Sequence, residues 1–179
     1  MRADARRNVE RIRAAAAEVF AEHGLEASLE EVARRAGVSP GTIYHRFGGR
    51  EGLIDAAVAD LAAENLERAL ATVHGSTAWE RFASYIVAIG EVQAATPHVN
   101  AAVVARFPEA TELRAVHERA VATGVELMRA AQAEGSLRPD AEPEDIANLI
   151  WLNAQALRLD GQWWRRALGY VLDGLHSHS

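Results

Sequence analysis

The chain of 179 residues contains no cysteine and no lysine. Without thiols it can form no disulfide, no thiolate metal centre and no cysteine nucleophile. Without lysine, every Lys/Arg-type charge is an arginine, the better bidentate donor to phosphate and guanine. The arginines are spread along the whole chain, so a GC-rich coding background accounts for the bias better than one site does. No stretch of 18 apolar residues exists to cross a membrane, and the N-terminal arginines are followed by no sustained apolar segment that would mark a secretory signal. A cytoplasmic location fits. Catalytic patterns are missing as well. There is no glycine-rich phosphate loop and no nucleophile elbow, and the histidines at 23, 45, 74, 98, 117, 176 and 178 lack metal-ligand spacing. No enzyme activity, metal or cofactor is expected, and His176 and His178 read as a frayed tail.

What is present is unevenly distributed. The formal charge is −6, yet residues 1–50 carry nine arginines against seven acids, whereas the remainder carries ten against eighteen. The first part is therefore +2 and the rest −8. Binding to a polyanion depends on a local patch rather than on the total. Arg2, Arg6 and Arg7 read either as a mobile arm toward phosphates or as a solvated terminus.

The stretch from Ser28 to Leu53, SLEEVARRAGVSPGTIYHRFGGREGL, is the most specific. Ser28 with Glu31 forms an S-x-x-E capping box. Leu29, Val32 and Ala33 make an apolar face, and Gly37 sits where the chain must reverse. Ser39 is a second N-cap, Pro40 takes the first helical position, and Ile43 and Phe47 point inward. Thr42, Tyr44, His45 and Arg46 are left outside, with Arg50 just beyond. Two capped helices joined at a glycine, with a polar, aromatic and basic outer face, are a helix-turn-helix suited to a DNA major groove.

At these residues the chain resembles the TetR family of transcriptional regulators. The resemblance rests on Ala33, Gly37-Val38-Ser39, Gly41-Thr42-Ile43-Tyr44, Phe47, Arg50 and Leu53, and is strong over about the first 55 residues. It implies an all-α homodimer, with a three-helix reading head at 1–50 and a helical ligand-sensing and dimerisation domain at 51–179. The implied DNA-facing set is Ser28, Ser39, Pro40, Gly41, Thr42, Tyr44, His45, Arg46 and Arg50, with Arg50 as a phosphate anchor. Pro40 and Gly41 depart from a base-reading pattern because neither offers a polar side chain. Thymine-methyl contacts and DNA shape are then expected to supply more of the specificity.

Beyond the head the apolar spacing predicts helices throughout, nine in total, including a short one at roughly Val99 to Arg106. On the last helix Ala167, Tyr170 and Gly174 form a candidate dimer surface, while Trp164, Leu168, Val171, Leu172 and Leu175 are expected to face inward. Burial within one subunit is the alternative. Candidates for an effector pocket are Tyr85, Ile89, Gln93, His98, Phe107, His117, Met128, Asn148 and Trp151. Each reads equally as core. Asn148 and Asn153 are singled out because a buried amide needs partners. The expected partners are double-stranded DNA with a palindromic operator, a second copy of the chain, and an unidentified, lipophilic or aromatic small molecule. Two alternatives stay open: a regulator controlled by a protein partner without a small-molecule pocket, and a helical binding protein with a decayed DNA head.

Overall fold

The computed structural model describes residues 2–96, 109–159 and 163–177. They form eight helices: α1 (Arg2–His23), α2 (Leu29–Ala36), α3 (Pro40–Phe47), α4 (Arg50–Thr72), α5 (Ala78–Ala95), α6 (Thr111–Ala133), α7 (Pro143–Leu159) and α8 (Trp164–Leu175). The short helix expected at roughly Val99 to Arg106 lies outside the described residues, so eight of the nine can be compared. Among the described residues there is no strand, only a single antiparallel bridge between Leu137 and His176. No helix there is long and apolar enough to cross a membrane.

The punctuation of α2 and α3 follows their side chains. Ser28 Oγ accepts from the Glu31 amide at 3.1 Å. Gly37 adopts a left-handed φ of 65°, and Val38 N donates back to Ala33 O at 2.9 Å, closing the helix end. Ser39 Oγ accepts from Thr42 N at 3.3 Å and Pro40 opens α3. The capping box at Ser28 is only half formed. The Glu31 carboxylate turns instead to Arg34, whose Nε donates at 3.1 Å, and that bond holds its pKa below the usual carboxylate value. A complete box occurs at Thr77 and Glu80, where the sequence reading had not placed one.

Two apolar clusters carry the fold. The first joins Ile12, Ala16, Val19 and Phe20 of α1 to Val32, Ala33, Ile43, Leu53 and Ile54, and it extends to Ala110 and Leu113 at the start of α6. Ala110 cannot cap α6 with a side chain, and Asp55 of α4 does so in its place. Asp55 Oδ1 accepts from Leu113 N at 2.8 Å and Oδ2 from Glu112 N at 3.2 Å. A carboxylate there satisfies two orphan donors and complements the helix dipole. The first turn of α6 is thus tied to α4 a little over one turn beyond the DNA head.

The second cluster packs Phe82, Tyr85 and Ile86 of α5 against Met128, Ile146, Leu149, Trp164 and Leu168. Glycines make the tightest crossings. A Cβ on Gly90 would stand 2.5 Å from Trp164 Cζ3, and one on Gly124 2.6 Å from Ile146 Cγ2. Two expectations are corrected here, one on α8 and one on the tail. Val171 is 41 % exposed rather than inward-facing, because the inward stripe of α8 is Trp164, Leu168 and Leu172, with Leu175 partly buried and packed against the same cluster. Nor is the tail frayed at His176. Its ring lies 4.4 Å from that of Trp79, Arg138 N donates to Leu175 O, and Ser177 N donates to Ser136 O, both at 3.0 Å. His178 lies outside the described residues.

Candidate DNA-binding site and regulatory surfaces

Seven large apolar side chains are exposed among the described residues: Tyr44, Val87, Trp151, Leu152, Trp163, Tyr170 and Val171. An isolated exposed apolar residue is unremarkable, but a cluster marks a surface that something covers. These seven fall on three surfaces.

The first is the outer side of α3. Ile43 is fully buried and Phe47 half-buried, so the opposite side presents Pro40, Gly41, Tyr44, His45 and Arg46 to solvent, with Thr42 at its edge. Tyr44 is 60 % exposed, and its ring rests against Gly49, where an added Cβ would lie 3.4 Å from Cε1. Gly41 is different. Its φ is not left-handed, and a Cβ there would meet only Ser39 Oγ, at 3.9 Å. Nothing within the chain requires glycine at this position. Ser28 and Ser39 both spend their oxygens on helix caps, and Ser39 Oγ also lies 3.0 Å from Thr42 Oγ1.

Arg50 sits differently from its expected role as a phosphate anchor. Its Nη1 donates to Leu25 O at 2.8 Å and Ala27 O at 2.7 Å. It therefore clamps the α1–α2 turn to the start of α4. Arg50→Ala is expected to lower stability by about 1.5–3 kcal/mol, because two carbonyls lose a charged donor. Urea unfolding checks this, and an unchanged midpoint would leave the clamp without energetic weight.

The second surface is formed by α7, α8 and the residue before α8. Trp151, Leu152, Trp163, Tyr170 and Val171 are exposed there, the last four by 56 %, 44 %, 64 % and 41 %. Ala167 is half-buried, and Gly174 is exposed with open space around it. A groove of about 570 Å³ runs along this face, with Met128, Asn148, Leu152, Ala167 and Val171 among its walls. Asn148 is exposed rather than buried, so it requires no partner. Asn153 is buried and its amide donates to Gln93 Oε1 at 2.7 Å.

The third surface is a groove of about 1000 Å³ between α4 and α5, with Ala69, Trp79, Ala83, Val87 and Val92 as apolar walls and Arg68, His74 and Glu91 as polar heads. Among the described pocket candidates, only Met128 and Asn148 line an open groove, and it is the one on α7 and α8. Tyr85 is buried, its hydroxyl donating to Ala120 O, and burial raises its pKa. Gln93 Nε2 donates to Ile150 O at 3.0 Å, and Ile89 packs beside it. His117 is half-buried on α6, where desolvation lowers its pKa despite the neighbouring Glu118. Trp151 faces outward at 44 % exposure. His98 and Phe107 lie outside the described residues. The candidates therefore do not converge on one cavity. Asp55 escaped sequence reasoning because it had no local signal: its partners lie 57 and 58 residues away. Among the described residues no group of three potential metal ligands occurs.

Residues 12–57 match the family described as "Bacterial regulatory proteins, tetR family". The transcriptional regulator UidR of Escherichia coli strain K12 is 30 % identical over 160 residues, covering 84 % of this chain and 79 % of that protein. The solved TetR transcriptional regulator SCO0520 of Streptomyces coelicolor is 31 % identical with a TM-score of 0.55, covering 96 % of this chain and 99 % of the other. A more distant likeness, at 19 % identity and a TM-score of 0.67, is to Bacillus subtilis FadR solved in complex with stearoyl-CoA. It covers 93 % of this chain and 99 % of that one and bears on the fold alone.

Proposed function

This chain belongs to the TetR family of bacterial transcriptional regulators, and from that premise we propose a dimeric repressor that leaves a palindromic operator when a lipophilic or aromatic small molecule binds. The observation that carries the DNA half is the open outer side of α3, where Gly41 gives up helix propensity with no packing reason inside the chain. A surface arriving from outside supplies the reason: DNA approaching the start of the recognition helix more closely than a methyl group would allow. Ser28, Ser39, Pro40, Thr42, Tyr44, His45 and Arg46 form the rest of the contact surface, with the Tyr44 ring largely exposed. Such a regulator works in the cytoplasm, where the chromosome lies.

The exposed apolar face of α7 and α8 supports pairing with a second copy, with Ala167, Tyr170 and Gly174 on it. A twofold dimer places its two recognition helices about 34 Å apart, one turn of B-DNA, which makes the operator a palindrome. For the effector we assign the α4–α5 groove, whose size and apolar walls suit a small lipophilic molecule. FadR with stearoyl-CoA is an instance of this fold accommodating such a ligand. A molecule in the groove bears on the C-terminal half of α4, and the opposite end of α4 holds the head. Asp55 adds a second link, because α6 must follow any tilt of α4. The effector acts by favouring head spacings that the operator does not fit.

One observation favours control by a protein partner instead: Tyr85, Ile89 and Gln93 are packed by protein and enclose no room for a ligand. A thermal-shift screen of lipophilic and aromatic compounds separates the two. Stabilisation lost in Ala83→Trp, which fills the groove, supports the small-molecule reading.

Gel shift against the region upstream of the chain's own gene tests the DNA half. Tyr44→Ala is expected to weaken specific binding by about 1–3 kcal/mol, as for loss of one base contact. Gly41→Ala is expected to move two quantities in opposite directions. The fold gains about 0.4–1 kcal/mol, while operator affinity falls. Unchanged affinity in both variants would remove α3 from the DNA interface.

A further inference from the structure

The head contains nine arginines, and most are already spent. Arg6 pairs with Glu10, Arg13 with Asp60, Arg34 with Glu31 and Arg35 with Glu22, while Arg50 binds backbone carbonyls. No carboxylate among the described residues lies within ion-pair distance of Arg11 or Arg46. These two line the same recess of about 660 Å³, between α1 and α3 over the Gly37-Val38 turn. Its other described walls are Ala5, Arg7, Asn8 and Thr42, with no acidic residue among them. In a chain of net charge −6, a recess with arginines and no carboxylate among its described walls is a local exception.

The geometry is ordered. Arg7 and Arg11 lie one turn apart on α1, and Thr42 and Arg46 one turn apart on α3, so two i, i+4 pairs border one opening. Arg11 Nη2 donates to Asn8 Oδ1 at 3.0 Å, which sets its guanidinium on the rim. Thr42 Oγ1 lies 3.0 Å from Ser39 Oγ. When the Ser39 hydroxyl donates across that pair, the Thr42 proton is left to point outward.

We propose that this recess seats one phosphodiester of the DNA backbone beside the recognition helix, with Arg11 and Arg46 as charged donors and Thr42 as a neutral one. The inference rests on the DNA-reading role argued above. It explains how a helix with bare positions at Pro40 and Gly41 is held in register: backbone contacts position the helix, and DNA shape supplies discrimination. α1 is then part of the interface, as a helical wall of the recess rather than as an arm.

The full-length protein can be tested on fluorescent 30-base-pair duplexes of two unrelated sequences, by anisotropy across a range of KCl concentrations. Each phosphate contact contributes about 0.9 to the slope of log affinity against log salt. Arg11→Gln and Arg46→Gln are each expected to reduce the slope by about that amount, and the double variant by about twice it, equally on both duplexes. Arg119→Gln, at a charge paired with Glu67 away from the head, should leave the slope near that of wild type. An unchanged slope in the double variant, an equal loss in Arg119→Gln, or a loss confined to one duplex would each overturn the seat. Inorganic phosphate, titrated at constant ionic strength, should not displace the duplex. Displacement at millimolar phosphate that disappears in the double variant would assign the recess to free phosphate instead. Failure of the wild type to bind either duplex at low salt would refute the DNA-reading role itself, which is a different result from a wild type that binds with an unaltered slope in the variants.

Discussion

Trp164→Ala should cost the fold about 3–5 kcal/mol, the largest loss expected of any single side chain here. The indole is 1 % exposed and fits over Gly90, where even a methyl group would come within 2.5 Å of the ring. Its outer side is covered by the Arg165 guanidinium, 4.7 Å from the ring centroid, and Arg165 is itself held by Glu91 of α5. Removing the ring leaves a void that helices locked by Gly90 cannot close. Urea unfolding should show the midpoint falling sharply, and Gly90→Val should do the same by displacing the ring from the other side. A loss below about 1 kcal/mol in both variants would mean that α8 docks on α5 by other means.

Leu152→Arg combined with Val171→Arg should have the largest effect on function with little effect on the fold. Both side chains are largely exposed in the single chain, at 56 % and 41 %, so charging them removes little intramolecular packing. At the centre of a twofold face the same change places four guanidinium groups together in a desolvated patch. Sedimentation should show the wild type as a dimer and the variant as a monomer. Operator affinity should fall by about 10²–10⁴-fold, the avidity lost when two heads act separately. A wild type that sediments as a monomer, or a variant that remains dimeric, would place the twofold axis elsewhere.

The parts legible in the sequence were those whose physics is local. Ser28, Gly37, Ser39 and Pro40 act within four residues of themselves, and each sits at the helix end expected of it. The helical character of α7 and α8 followed from apolar spacing in the same way. What escaped depends on partners distant in sequence. Arg50 gave no sign of its clamp because the carbonyls its Nη1 binds lie 23 and 25 residues earlier. Asp55 caps a helix that begins more than fifty residues further on, which no local pattern announces. Val171 was assigned inward because an apolar stripe on α8 is wider than the face α5 can cover. Glu31 matched a capping box, but a nearby arginine competed for its carboxylate and won. The three surfaces became visible only when burial separated the apolar residues used by the fold from those left over.

The first turn of α6 has a consequence for how the protein is made. Ala110 and Leu113 complete the apolar cluster of the head, and Asp55 receives the amides that begin their helix. A nascent chain that has emerged only through α4 therefore has the recognition helix but an unfinished core beneath it. Loop closure across more than fifty residues must follow before that core is sealed. During synthesis the recognition helix gains its full support only after the chain has been extended to the start of α6, so a product terminated before that point would be a poor competitor for DNA.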